Sequence, residues 1–317
     1  MSGFLREKGR YIFPYPSMAI VAEPISYEYG PVIFRPPPES YSLILQATIG
    51  CPWNRCLFCG TYKLKDFRPR SKEIIEDIQL AKKYYEDKPR RVFLSDANSL
   101  ALKTERLIEI CNLLFKTFIN LERISSYGSA RFILRKGSDD LKSLFEAGLK
   151  KVYMGLETGD DDLLKNIDKG VTSEEMMLAA ESVKDSGMEL SVTVIQGIGG
   201  KGSWKRNASK TAKVLNRMKP HETRLHNLVI HSNSPLHEKA DKGEFIRASR
   251  DEVLEEMTEL IRLLDYKTEI QTYGSNYLRP GLLGGRIPED KNHMLEILDF
   301  ALHSPDREIF LQSSRQL

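Results

Sequence analysis

The sequence has little of three things that mark many protein classes: cysteine, net charge and long apolar runs. It contains four cysteines among 317 residues and carries a net charge of only +3, which does not argue for a nucleic-acid partner, although it does not exclude RNA. No apolar stretch approaches the roughly 18 residues that a transmembrane helix needs. The first residues, MSGFLREKGRYIF, lack the apolar core of a secretion signal. We therefore expect a cytoplasmic protein without a membrane partner.

Three of the four cysteines lie within nine residues, in the segment GCPWNRCLFCG from Gly50 to Gly60. Three thiolates can bind three irons of a [4Fe–4S] cluster and leave the fourth iron open to a substrate or cofactor. A structural zinc site needs four ligands. No histidine lies near the loop, since the first in the chain is His221, but a distant His226 or His231 could complete a Cys3His site. Buried thiols without a ligand are a further alternative, but the Pro, Asn, Arg and Gly residues of this segment favour a loop.

The fourth cysteine, Cys111, falls on the apolar face of a helix predicted at 104–118. A free cysteine in that setting behaves as a small hydrophobic residue. We therefore expect Cys111 to lie in the core, which leaves no cysteines for a second cluster.

Strands and helices alternate along the chain. β-type apolar runs are separated by segments with helical periodicity. The predicted strands are 42–49, 91–94, 123–127, 151–156, 190–197 and 223–230. Helices are predicted at 104–118, 139–147 and 204–218. Two more are predicted from their N-terminal residues: one is capped by Ser71, and one begins with a capping box formed by Thr172 and Glu175. Six such units indicate parallel strands joined by right-handed crossovers, an α/β fold of the partial (β/α)6 barrel type with its chemistry at the carboxyl ends of the strands.

We expect three parts: an N-terminal extension at 1–40, the barrel at 41–235, and a C-terminal helical and loop region at 236–317. The last part contains predicted helices at 251–264 and 290–302 and a glycine-rich loop at 271–286. Loops of this length are often functional lids. As a lid, the loop would bring Asn276, Tyr277 and Arg279 to the substrate; a structural wrap around the barrel is the alternative.

The cysteine segment resembles the cluster motif of radical S-adenosylmethionine (SAM) enzymes. The resemblance implies that Cys51, Cys56 and Cys59 are the metal ligands. The spacing is C-x4-C-x2-C, one residue longer than the usual C-x3-C-x2-C of that family. Phe58 matches the family's aromatic position that packs beside the SAM adenine. The resemblance covers residues 41–235 and is closest to members that share a barrel with oxygen-independent coproporphyrinogen oxidase and with tRNA-modifying enzymes.

Residues at further predicted strand ends match the family's SAM contacts. The resemblance implies contacts with the SAM amino group for Asp96 and Asn98, an acidic contact for Glu157, and contacts with the adenine for Gln196 and Gly197. Arg131, after the third strand, could bind the SAM carboxylate through its fork of donors. Other roles stay open for some of these residues. Asp96 and Glu157 could instead cap helices, and Gly197 could serve a tight turn without touching a ligand.

The same resemblance implies a chemistry. The open iron would bind SAM, an external one-electron donor of the flavodoxin or ferredoxin type would reduce the cluster, and SAM would be cleaved to methionine and a 5′-deoxyadenosyl radical. We expect a small-molecule substrate. Since the sequence before residue 41 is too short for a cobalamin-binding domain, we do not expect cobalamin-dependent methylation. The alternatives are an RNA-modifying member of the family and a non-catalytic iron–sulfur or zinc protein.

Overall fold

The computed structural model describes residues 5–7, 10–12, 35–63, 66–272 and 277–311, with side chains from residue 35 onward. The chain divides into two compact units. The first comprises Met1–Asn54, Tyr62–Tyr153 and Ser182–Glu189, and the second comprises Arg55–Thr61, Met154–Glu181 and Leu190–Leu317. The three-part division expected from the sequence stays a prediction. Within the described ranges, no helix combines the length and apolar character required to cross a membrane.

Eight strands and three α-helices of the described chain lie wholly or mostly in the first unit. The strands are β1 (Leu5–Glu7), β2 (Arg10–Ile12), β3 (Leu43–Gln46), β4 (Thr48–Ile49), β5 (Arg68–Pro69), β6 (Arg91–Ser95), β7 (Arg123–Tyr127) and β8 (Leu149–Glu157). The helices are α1 (Glu73–Tyr85), α2 (Thr104–Thr117) and α3 (Ala130–Glu146). Strands β3, β6, β7 and β8 are neighbours in that order and all parallel. Their carboxyl ends therefore meet at one edge of the sheet.

Aromatic side chains form part of the core of the first unit. Phe93 lies edge-on to Tyr127 and Tyr153, with ring centres 5.0 and 6.0 Å apart, a favourable aromatic geometry. Ile44 packs in the same cluster. The Tyr153 hydroxyl donates a hydrogen bond to the buried carboxylate of Glu39 at 2.7 Å. This packing fixes the strands whose carboxyl ends carry predicted site residues.

The remaining elements lie wholly or mostly in the second unit. They are α4 (Asp161–Asn166), α5 (Ser173–Asp185), β9 (Glu189–Gln196), α6 (Trp204–Met218), β10 (Glu222–Asn227), α7 (Pro235–Asp241), α8 (Arg250–Leu263), β11 (Thr268–Gln271), β12 (Gly284–Ile287) and α9 (Lys291–His303). Strand β10 lies between β9 and β11 and is parallel to both, whereas β12 is antiparallel to β11. Helices α6 and α8 pack together and bury apolar residues that include Leu215, Leu254 and Met257.

The predicted α/β class is confirmed, since parallel strands alternate with helices and the sheet is open. Helix α6 has the predicted bounds. The capping box before α5 is also confirmed. The Thr172 N–H donates to the Glu175 carboxylate at 2.7 Å, and the Glu175 N–H donates to the Thr172 hydroxyl at 3.2 Å.

Several predicted boundaries were wrong. Ser71 does not cap α1, because the helix begins at Glu73 and the residue at its N-cap, Lys72, makes no capping side-chain bond. The helix predicted at 139–147 corresponds to the second segment of α3, whereas the first segment, which begins at Ala130, was not predicted; Gly137, with a φ of 72°, separates the two at a kink. Strand β10 ends at Asn227 rather than at residue 230.

The predicted loop at 271–286 is not wholly a loop, because its end forms β12 against β11. Arg279, a candidate substrate contact, donates its backbone N–H to the carbonyl of Phe310 at 3.0 Å. Tyr277 is half-buried, and Asn276 lies outside the described residues. The bond to Phe310 ties this segment to the C-terminal part of the chain, and a lid role stays a prediction.

Candidate functional site

The cysteine loop begins directly after β4, in the first unit. Gly50 has a φ of 72°, a left-handed conformation that glycine adopts without a Cβ clash. Its N–H donates to Asp96 Oδ2 at 3.1 Å, and Asp96 is 1% exposed. The Cys51 sulfur accepts a hydrogen bond from the Asn54 N–H at 3.4 Å. Asp96, the residue that follows β6, therefore fixes the start of the loop.

The second part of the loop belongs to the second unit and is held through its backbone. The Leu57 N–H donates to the Ile167 carbonyl, and the Leu57 carbonyl accepts from the Leu236 N–H, both at 2.9 Å. The Gly60 carbonyl accepts from the Asn233 side-chain amide at 2.7 Å. A Cβ added at Gly60 would lie 2.4 Å from Asn233 Oδ1. The segment that carries the second and third cysteines is thus bound along its length and has no room for a side chain at Gly60.

The four cysteines differ in exposure. Cys51, Cys56 and Cys59 are half-buried, whereas Cys111 is fully buried, as expected. Burial raises the pKa of the Cys111 thiol to about 12, and the thiolate is the form that binds metals. In the described part of the chain, no three or more Cys, His, Asp or Glu side chains are arranged as ligands of a single metal ion. Ligation by the three loop cysteines therefore stays a proposal.

Two predicted SAM contacts of the first unit lie near polar or aromatic partners. The Asn98 side-chain amide donates to Ser129 Oγ at 2.9 Å. The Arg131 guanidinium carbon lies 4.1 Å from the centre of the Trp53 ring, a cation–π contact. Trp53 belongs to the loop, between the first two cysteines. The structure therefore places Arg131 beside the cysteine loop, and Trp53 is a contact that sequence reasoning missed.

Two predicted SAM contacts of the second unit are connected by a lysine. Glu157 Oε1 accepts a hydrogen bond from Lys169 Nζ at 2.5 Å, and the two side chains are 9% and 13% exposed. Lys169 Nζ in turn lies 6.0 Å from the centre of the Phe58 ring. Lys169 was missed at the sequence level, because it is distant from both partners along the chain and no local pattern marks it.

The carboxyl end of β9 is joined to α8. The Gly197 N–H donates to Glu256 Oε2 at 3.2 Å, and Glu256 is 1% exposed. Burial raises the pKa of Glu256 to about 8, although hydrogen bonds from Gly197 and Asn207 act in the opposite direction. Sequence reasoning missed Glu256. The available signal was a carboxylate on the apolar stripe of the helix, three residues after the buried Val253.

The two histidines considered for zinc have different surroundings, both in the second unit. His226 Nε2 accepts from Arg224 Nη2 at 3.2 Å, because a guanidinium has no acceptor. Burial, with Arg224 nearby, lowers the pKa of His226 to about 4. His231 lies against Gly60, whose added Cβ would be 2.5 Å from His231 Cβ. A zinc site completed by His231 stays open as an alternative.

The residues present fit the cluster and SAM that the resemblance implies. Half-buried thiols can reach a bound metal. Buried polar atoms without a hydrogen-bond partner among the described residues include Ser95 Oγ and Asn98 Oδ1 in the first unit and both amide atoms of Gln196 in the second. Buried polar atoms are normally paired, so a polar ligand would satisfy them. Arg131 provides the fork of donors that suits a carboxylate.

Comparison with known proteins identifies the family. Residues 45–206, just over half of the chain, match the family model of the radical SAM superfamily. The chain is 28% identical to 4′-phospho-dehydrooxetanocin synthase from Priestia megaterium over 172 residues. That match covers 49% of this chain but only 23% of the synthase.

Solved structures show the same fold. Coproporphyrinogen III oxidase (HemN) from Escherichia coli, a radical SAM enzyme, matches with a TM-score of 0.53 and 15% identity over 70% of this chain and 51% of its own. The radical SAM methyltransferase TsrM from Kitasatospora setae matches with a TM-score of 0.51 and 16% identity over 63% of this chain and 39% of its own. The chain thus spans about half or less of these proteins, and at such identities the likeness concerns the fold alone. On the match to the family model, the chain belongs to the radical SAM superfamily of enzymes.

Proposed function

We propose that the protein binds a [4Fe–4S] cluster through Cys51, Cys56 and Cys59 and uses SAM to carry out radical chemistry on a small molecule. The observation that supports this most is a loop with three half-buried cysteines in a segment that the family model covers. When bound, the cluster and SAM supply a 5′-deoxyadenosyl radical, which can take a hydrogen atom from a C–H bond of the substrate. The protein's own task is to orient these partners and to exclude water.

In the first unit, we assign the amino-acid part of SAM to three residues. Asn98 Oδ1, which has no hydrogen-bond partner in the described part of the chain, would accept from the amino group. Arg131, held beside the loop by Trp53, would bind the carboxylate through two parallel hydrogen bonds. Asp96 fixes the loop through Gly50, and a contact of Asp96 with the amino group belongs to the same proposal.

In the second unit, we assign the acidic contact of SAM and its adenine. Glu157, oriented by Lys169, would accept hydrogen bonds from SAM. Phe58 would pack beside the adenine, and Gln196 and Gly197 would bind its polar edge. The support is that the Gln196 amide is 0% exposed and that its two polar atoms have no partner within the described residues, since such an amide is costly unless a ligand satisfies it.

The partners belong to the proposal as well. A small-molecule substrate agrees with the net charge of only +3 and with the curated relative, whose name is that of a synthase of a phosphorylated small molecule. The electron would come from an external donor of the flavodoxin or ferredoxin type. We place the protein in the cytoplasm, because a reducing compartment keeps half-buried thiols available for iron.

The test is anaerobic formation of 5′-deoxyadenosine. The protein is reconstituted with iron and sulfide and given dithionite and SAM, and the product is measured by mass spectrometry. We expect product from the wild type and from the Cys111→Ala control, which removes a buried thiol remote in sequence from the loop, but none from Cys56→Ala. Equal product from Cys56→Ala would contradict the proposal. An intact cluster without SAM binding by calorimetry would instead indicate an electron carrier, and bound zinc a structural metal site.

A further inference from the structure

A buried chain of hydrogen bonds joins two strand ends of the second unit. The Thr158 hydroxyl, directly after β8, donates to Asn207 Oδ1. The Asn207 amide donates to Glu256 Oε1 at 2.7 Å, and the Gly197 N–H donates to Glu256 Oε2 at 3.2 Å. Thr158, Asn207 and Glu256 are each no more than 1% exposed. The two oxygens of one carboxyl group thus connect the end of β9 to the residue after β8.

Further bonds fix the orientation of Asn207. Its carbonyl oxygen also accepts from the Thr211 hydroxyl at 3.3 Å, and Thr211 accepts from the Gly159 N–H at 2.9 Å. Asn207 and Thr211 lie one turn apart on α6. Because its oxygen accepts from hydroxyls on one side, the amide must present its N–H group to Glu256.

The carboxyl group of Glu256 reduces the stability of the fold. In the described part of the chain, its oxygens accept hydrogen bonds from two uncharged groups, the Asn207 amide and the Gly197 N–H. Burying a carboxyl group without a cation is unfavourable, and the raised pKa of Glu256 reports that cost. An apolar side chain on this stripe of α8 would pack at a lower cost. Stability therefore does not account for a carboxyl group at this place.

We propose that Glu256 is a positioning residue for SAM. It holds the ends of β8 and β9 in a single arrangement, so that Glu157 and the pair Gln196 and Gly197 keep the spacing that SAM requires. Glu256 does this through Gly197 directly and through Asn207 on the other side. The inference rests on the proposed SAM site and adds to it a residue of the C-terminal region, outside the segment 45–206 that the family model matches.

The test compares Glu256→Gln with Thr258→Val. Above about pH 8, where the assay is run, both oxygens of the ionised Glu256 accept hydrogen bonds. A glutamine at residue 256 has one acceptor oxygen, so its NH2 group must oppose either the Gly197 N–H or the Asn207 amide. Thr258 is a buried residue of the same helix whose hydroxyl donates to the Leu254 carbonyl within that helix. The readout is the rate of 5′-deoxyadenosine formation against SAM concentration for the reconstituted proteins, with iron content measured in parallel.

We expect Glu256→Gln to raise the KM for SAM about tenfold with a nearly unchanged kcat and iron content, because the binding-competent arrangement becomes a minor population that SAM must select. Thr258→Val should change neither constant. A merely structural role would lower the active fraction, and with it kcat, and would leave KM unchanged. If Glu256→Gln does not fold, Asn207→Ala breaks the same connection and should give the same rise in KM.

The outcomes separate the two proposals. Tight SAM binding by the wild type with an unaltered KM in Glu256→Gln overturns the positioning role and leaves the proposed function intact. A reconstituted wild type that does not bind SAM at all overturns both.

Discussion

Replacing Gly155 by alanine tests the role of Glu157 without changing any charge. Gly155 lies in β8, two residues before Glu157, on the same face of the strand. A Cβ added there would lie 2.1 Å from Glu157 Oε1 and 3.0 Å from Lys169 Nζ. Both atoms are the ends of flexible side chains and can move away. The substitution therefore displaces the carboxylate from its place rather than deforming the backbone.

The size of the effect on SAM follows from the contacts. One charge-assisted hydrogen bond contributes about 1.5–3 kcal/mol, so its loss should weaken SAM binding about 10- to 150-fold. The fold should be affected much less. Alanine gains roughly 0.5–1 kcal/mol over glycine within a strand, which offsets part of the loss from the displaced Glu157–Lys169 ion pair. We expect the unfolding free energy to stay within about 1 kcal/mol of the wild-type value.

The assay is calorimetric titration of SAM into anaerobically reconstituted protein, with a thermal melt of each variant. Gly284→Ala is the matched control, because Gly284 is also a strand glycine and an added Cβ there meets, among the described residues, the Ile270 carbonyl alone, at 3.2 Å. Its SAM affinity should equal that of the wild type. A Gly155→Ala protein that binds SAM as tightly as the wild type would refute the assignment of Glu157.

Three further predictions concern the loop, the thiols and the buried carboxyl group. Gly60→Ala should cost about 1–3 kcal/mol through overpacking against Asn233 and lower the iron retained after reconstitution, as iron analysis and thermal melts would show. In the cluster-free protein, a thiol reagent should modify the three loop cysteines rapidly and Cys111 only on unfolding, because burial keeps that thiol protonated. The pKa of Glu256 is raised to about 8 in the fold. Between about pH 4.5 and about pH 8 the unfolded chain therefore binds fewer protons than the folded protein. The unfolding free energy should decrease over this range by up to about 1.4 kcal/mol per pH unit. The Glu256→Gln variant should lack this decrease when its denaturant unfolding is measured at several pH values.

Each of these predictions has a result that would contradict it. For the loop, it is full iron content in Gly60→Ala. For the thiols, it is four cysteines that react at one rate in the folded protein. For the carboxyl group, it is a pH dependence of stability that persists unchanged in Glu256→Gln.

Much of the fold could be predicted because its signals are local. Helix α6 had the predicted bounds because its apolar residues recur at helical spacing, and the Thr172–Glu175 pair marked the start of α5 through residues three apart. The strand β12 was missed because Gly284 and Gly285 have low β propensity, and only pairing with β11 makes this segment a strand.

The sequence indicates candidate site residues but not their supporting contacts. Spacing along the sequence makes the three loop cysteines candidate ligands, and strand ends make Asn98 and Glu157 candidate SAM contacts; these assignments stay predictions. Lys169 and Glu256 could not be found in this way, because each meets its partner only after helices have brought distant parts of the second unit together. A carboxylate within the apolar stripe of a predicted helix, as at Glu256, is the sequence signal that indicates such a buried contact.

The central claim is that three cysteines hold a cluster with one iron open to SAM. The most direct measurement is the electron paramagnetic resonance spectrum of the reduced, reconstituted protein with and without SAM, together with its iron content. A [4Fe–4S] cluster with one iron open to SAM should give about four irons per chain and a spectrum that changes when SAM is added. A spectrum indifferent to SAM, or zinc in place of iron, would contradict the claim.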